Sequence, residues 1–187
     1  MSAETPNHSP EIESKPDNDR KFVVTSGAID HAKLTEESPE EYDMTVDYTV
    51  INDYGGGNYE EEKIARKVYD DGSEKILKIA KVKLNGNRDA KKAAVAPEKY
   101  ADLVTGSVKH LFKRRHELVY RQQDGAEFPI KYDILENGKL YMIEVGANIV
   151  AIGGAFNIDE FPADLVEVSG DKDYEGHQMV DTLAKIA

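Results

Sequence analysis

The chain has 187 residues, 40% hydrophobic and 32% charged, a balance that suits one domain with a substantial core. Its net charge of −12 sets the surface against nucleic-acid phosphates, and the absence of cysteine excludes disulfides, thiolate metal sites and a cysteine nucleophile. No apolar run reaches the roughly 18 residues of a membrane span, and MSAETPNHSPEIESK has no apolar signal core, so a cytoplasmic protein without nucleic-acid or membrane partners is expected.

Residues 1 to 16 are rich in Ser, Pro, Glu and Asn, which predicts a disordered acidic tail ahead of a single domain over 17–187. The segment DNDRKFVV follows. In an extended strand Asp17, Asp19 and Lys21 point to one face. Two carboxylates and an ammonium together suit a divalent cation and an anionic ligand, although a solvated strand entry fits the same letters.

From Tyr42, YDMTVDYTVIN is β-branched and aromatic and reads as a strand, and DYGGGN after it as a loop. The triple glycine lacks the Lys-Ser or Lys-Thr ending of a phosphate-binding loop. Two strand-like segments then flank Asp71-Gly72, a hairpin signal. With that dipeptide at the centre, Tyr69 pairs with Glu74. Ile64, Arg66, Val68, Leu77, Ile79 and Lys81 then share one face, with Lys63, Ala65, Lys67, Ile76, Lys78 and Ala80 on the other. A slip of one residue exchanges the faces of one strand against the other.

PEKYADLVTGSV has proline at a helix start and apolar residues at helical spacing, so a helix packed on the sheet is expected from Pro97. HLFKRRHELVYRQ reads equally as a strand that presents Lys113 and Arg115 to a shared anion or as a solvated helix. His110 and His116 match no zinc-ligand spacing. The second hairpin, IKYDILENGKLYMIEV, turns at Asn137-Gly138 and pairs Tyr132 with Ile143 on an apolar face. Its other face sets Lys131 opposite Glu144 and Asp133 opposite Met142. Glu144 is there either the partner of a cross-strand ion pair or a metal ligand.

This order of parts resembles the CYTH family, the triphosphate tunnel metalloenzymes. DNDRKFVV is similar to the family's opening E-x-E-x-K strand with aspartates in place of glutamates. EIESK, Glu11 to Lys15, matches the letters better but is followed by Pro16 and a polar run. KIARKVYDDGSEKILKIAKVK resembles the two basic strands, the stretch from Pro97 to Val119 the helix and K-x-R strand, KLYMIEV the E-x-D strand, and FPADLVEVSGDKDYEGHQM the C-terminal segment. The resemblance covers about residues 17 to 187 and implies an α+β fold, an antiparallel β-barrel forming a tunnel with a few helices outside. It also implies Mg or Mn held by Asp17, Asp19 and Glu144. A triphosphate-bearing small molecule would be bound by Lys63, Arg66, Lys81, Arg88, Lys113 and Arg115, with Lys21 and Lys113 as the catalytic cations.

The departures lie among the acids. R-x-E-x-E becomes Arg88, Ala90 and Lys92, the first position of E-x-D falls on Met142, and NIVAIGGAFNI, where the last acidic strand belongs, contains no acid before Asp159 and Glu160. Fewer carboxylates beside retained lysines weaken a metal site and favour static anion binding. The leading expectation is a metal-dependent hydrolase of tripolyphosphate or a nucleoside or thiamine triphosphate. The alternative is a polyphosphate- or nucleotide-binding module of the same fold without turnover. An adenylate cyclase has no supporting feature here, and an acidic β-rich interaction protein without a small ligand is the reading if the resemblance is accidental.

Overall fold

The computed structural model describes residues 11–13, 19–30, 34, 39–85, 87–150 and 152–186. They form one ten-stranded antiparallel sheet and two short helices. In chain order these are β1 (Glu11–Glu13), β2 (Arg20–Val24), β3 (Glu40–Gly55), β4 (Asn58–Tyr69), β5 (Glu74–Leu84), β6 (Asn87–Val95), α1 (Tyr100–Val104), β7 (Lys109–Arg121), β8 (Glu127–Leu135), β9 (Leu140–Val145), β10 (Leu165–Glu167) and α2 (Gln178–Lys185). The sheet order is β1-β6-β5-β4-β3-β7-β8-β9-β2-β10.

Among the described residues the two edges, β1 and β10, do not pair, so the expected barrel is an open sheet. It is nevertheless strongly curled. Glu13 and Arg20 are joined by seven residue steps, a reach of at most about 25 Å, whereas eight strand spacings of a flat sheet need about 38 Å. Glu11–Glu13, inside the segment expected to be a disordered tail, pair with Ala90–Lys92 of β6. The rest of that segment lies outside the described residues.

The first hairpin is shifted by one residue from the expected register: Val68, not Tyr69, pairs with Glu74. Gly72 donates to the Tyr69 carbonyl and has φ +83°, while Tyr69 N–H donates to Ser73. Gly72 is therefore the left-handed residue closing a three-residue loop, not half of a two-residue turn. The second hairpin has the expected register throughout, from Ile130 opposite Val145 to Ile134 opposite Tyr141. The ambiguous stretch after His110 is strand β7, and the helix after Pro97 is a 3₁₀ turn followed by five residues, ending before Gly106 at φ +84°.

Two apolar clusters stabilise the curled half of the sheet. The outer faces of β7, β8 and β9 bury Leu118, Tyr120, Phe128, Ile130, Tyr132, Ile143 and Val145 under Ile29, Phe156 and Phe161 of the flanking loops. The inner faces bury Val46, Tyr48, Leu111, Leu135 and Met142 against Met179 and Leu183 of α2. These two leucine and methionine side chains are one helical turn apart, which gives α2 a single apolar stripe. α1 packs outside on β3 and β4, where the Tyr100 hydroxyl donates to Asp47 at 2.7 Å, whereas α2 covers the inner face.

Candidate functional site

The inner face encloses a cavity of about 270 Å³. Which side chains reach it follows from the ladders, because residues paired across strands project to the same face. Tyr48 pairs with Lys63, Lys63 with Ile79, Ile79 with Lys92, and Lys81 with Ala90. On the other half Lys113 pairs with Leu135, Arg115 with Asp133, and Lys131 with Glu144, which also pairs with Lys21. All of these line the cavity, and Arg88 on β6 joins them. Among the described residues the lining carries eight Lys or Arg side chains and two carboxylates. A protein of net charge −12 thus encloses a cationic interior.

The pairs within the cavity are tight. Asp133 grips Arg115 with two bonds of 2.6 Å and accepts from Lys113 at 2.7 Å. Burial alone would raise the Asp133 carboxyl, but Arg115 and Lys113 outweigh it and hold it at about 2. Burial and the neighbouring Arg115 push Lys113 down to about 8 even with Asp133 beside it. Lys131 donates to Glu144 at 2.6 Å and stands 3.9 Å from Asp19. Burial opposes ionisation of both, yet Lys131 holds Glu144 well below the carboxylate range and is itself raised by it.

Lys81 is almost fully buried, with its ammonium 5.1 Å from the Tyr59 ring centre. Burial, then the charge of Lys63, push it down to about 7 against the pull of Glu61. Lys63 donates to Glu61 at 2.8 Å and lies over the Tyr48 ring. Glu61 has no exposed side-chain surface and also meets His177 Nδ1 at 3.2 Å. Burial would raise it, but the His177 bond and the two lysines bring it far below its usual value. Lys83 with Glu175 at 2.7 Å and Lys109 with Asp181 at 2.6 Å complete the attachment of the C-terminal segment over one end of the cavity. Tyr174, Gly176 and Met179 of that segment line it.

Of the expected phosphate ligands, Lys63, Lys81, Arg88, Lys113 and Arg115 line one cavity together with Lys21. Arg66 does not. It pairs with Thr45 and Ile76 on the outer face, forks Glu74 and lies over the Tyr100 ring, a consequence of the one-residue shift in the hairpin. Of the expected metal ligands, Glu144 lines the cavity and Asp19 lies beside Lys131, whereas Asp17 falls outside the described residues.

β8 carries Lys131 and Asp133 and β9 carries Met142 and Glu144, and the last acidic strand is expected after β9. Residues 148–158, where the sequence pattern places that last strand, contain none among the described residues; Ile158–Glu160 form a 3₁₀ turn. Sequence reasoning overlooked Lys92 and Lys131 as cavity cations and Glu61 with His177 as a buried pair. The second hairpin's register did carry a signal, since it set Lys131, Asp133 and Glu144 on one face.

The carboxylates present do not fit a divalent cation. Among the described residues no three His, Asp or Glu side chains converge as ligands. Asp133 is engaged by Arg115 and Lys113, and Glu144 by Lys131. What the arrangement provides is a cluster of ammonium and guanidinium groups in a shielded space, which suits an elongated polyanion.

No protein-family model matches the chain, and no curated protein does. Two crystal structures of NE1496, described in one as a hypothetical protein and in the other as an inorganic triphosphatase, share its shape. Both align at a TM-score of 0.52, with 14% and 15% identity, over 87% of this chain and 95% of that chain. At such identity the likeness is one of fold, the curled antiparallel sheet that the CYTH resemblance implies.

Proposed function

We propose that the cavity binds the triphosphate group of a small molecule, either inorganic tripolyphosphate or a nucleoside or thiamine triphosphate. The observation that carries this reading is the lining itself, eight cationic side chains with two already-paired carboxylates inside an acidic protein. Lys63, Lys81 and Arg88 on one wall and Lys113, Arg115 and Lys21 on the other bracket the space from opposite sides of the curled sheet. Such groups bind phosphate oxygens through charge-assisted hydrogen bonds, stronger in a shielded cavity than in water. Asp133 fixes the direction of the Arg115 guanidinium, so its ordering entropy is spent in folding and not in binding.

Lys81 and Lys113, at about 7 and about 8, hold their protons weakly in the free protein and regain them fully when a polyanion arrives. Hydrolysis is the second reading. It is favoured by the fold shared with an inorganic triphosphatase and by Lys113, which can hold or release a proton near neutral pH. Dependence on Mg or Mn belongs to that reading, and the engaged carboxylates oppose it. A cytoplasmic setting is part of the same proposal; no helix among the described residues is long and apolar enough to cross a membrane.

The test is a thermal shift with tripolyphosphate and with ATP, followed in the same wells by a phosphate assay. Ligand at about 100 Kd stabilises by roughly 2.7 kcal/mol, a shift of a few degrees for a domain of this size. A shift is the expected result, with phosphate release separating turnover from static binding. No shift with either ligand contradicts the reading.

A further inference from the structure

Lys131 is the cation that meets the carboxylates at one corner of the cavity. It sits on β8 two residues before Asp133, directly opposite Glu144 on β9, which in turn pairs with Lys21 on β2. Its ammonium is 2.6 Å from Glu144 Oε1 and 3.9 Å from Asp19 Oδ2, so it meets both carboxylates at this corner of the cavity. The third carboxylate, Asp133, is turned to Lys113 and Arg115. A divalent ion at this corner would have to expel the half-exposed Lys131 ammonium from Glu144 and leave it beside a like charge. On β6, Lys92 adds a further cation to the lining.

We infer that the Lys131 ammonium is a built-in counter-cation that serves Glu144 and Asp19 in place of a divalent metal, so that the cavity takes its polyanion without a metal ion. The covalently tethered charge neutralises Glu144 and orients it. The site is then blind to Mg and Mn concentration. The second half of this inference rests on the cavity binding triphosphates; the first half, concerning the metal, does not.

The experiment has two arms. In the first, Mn²⁺ alone is titrated into the wild-type protein, Lys131→Gln and Lys131→Met, with bound and free ion read by electron paramagnetic resonance and no phosphate compound present. Wild type is expected to show no Mn²⁺ site tighter than the millimolar range, and removal of the ammonium to tighten binding at least tenfold. A wild-type site in the micromolar range that Lys131→Gln leaves unchanged or weakens overturns the inference. The wild-type titration decides by itself if neither variant folds. In the second arm, tripolyphosphate is titrated calorimetrically into wild type in EDTA and in Mn²⁺. Binding in EDTA is the expected result, and binding that appears only with Mn²⁺ overturns the inference. If tripolyphosphate binds under neither condition, the triphosphate reading fails while the Mn²⁺ arm still decides the role of Lys131.

Discussion

Asp133 on β8 holds Arg115 on β7 in a two-pronged pair, Nε to Oδ1 and Nη2 to Oδ2, both at 2.6 Å, and the same carboxylate accepts from Lys113. One anion thus restrains two of the cations that face the cavity. Asp133→Asn leaves both without their counter-charge in a largely buried setting, and should cost about 3 kcal/mol of stability or more. Chemical denaturation measures the loss. Tripolyphosphate should recover part of it by supplying the missing negative charge, and a variant as stable as wild type without ligand contradicts this account. The contribution of Asp133 in wild type is present above its unfolded pKa and is lost as pH falls through about 4 toward about 2.

Lys81 and Lys113 make binding and stability respond to pH with opposite signs. Both have folded-state values below that of an unfolded lysine, so the unfolded chain holds more protons between about pH 7 and about pH 10, and their contribution to stability rises with pH there. A bound polyanion favours the charged forms, so binding takes up protons near pH 8 and their contribution to affinity falls above it. Calorimetry at pH 8 in buffers of different ionisation enthalpy should show this uptake. Lys113→Arg, whose side chain stays charged, should reduce it. Equal uptake in both proteins would exclude Lys113 as the responsive group.

Gly176 has φ +49°, and a Cβ there would come within 2.6 Å of Glu61 Oε2. Gly176→Ala therefore strains the backbone and pushes on the buried carboxylate that His177 and Lys63 share. A loss of about 1–3 kcal/mol is expected, together with faster amide exchange in α2 than in β7 to β9. Uniform exchange behaviour would show that this contact does not hold the C-terminal segment down.

Lys63 and Arg66 are three residues apart on β4 and point to opposite faces. Lys63→Ala should weaken tripolyphosphate binding by tenfold or more, about the worth of one hydrogen bond to a charged group. Arg66→Ala should leave affinity within about twofold, since its pair with Glu74 and its contact with the Tyr100 ring both lie on the outer face. Equal effects from the two would indicate that the anion binds by general surface charge.

The legibility of this chain varied with how strongly local chemistry constrained the backbone. The hairpin at Asn137-Gly138 was readable because alternation in KYDIL and LYMIEV allowed one register only, and it set Lys131, Asp133 and Glu144 on a common face. The hairpin at Asp71-Gly72 was not, because Asp-Gly serves both a two-residue turn and the end of a three-residue loop; the second form carried Arg66 to the outside. β7 was ambiguous in periodicity and was settled by pairing on both sides, with β3 and β8. The Glu61 and His177 pair joins residues 116 positions apart and left no local signal. Glu11–Glu13 acquire their structure from the edge of β6, which no reading of a polar tail would supply.

The most direct test of the central claim is a crystal structure of the wild-type protein with tripolyphosphate. The account predicts a phosphate chain inside the cavity, within hydrogen-bond distance of Lys63 on one wall and of Lys113 and Arg115 on the other. Tripolyphosphate found only on the outer face near Arg66, or absent from a cavity that crystal packing leaves open, would contradict it.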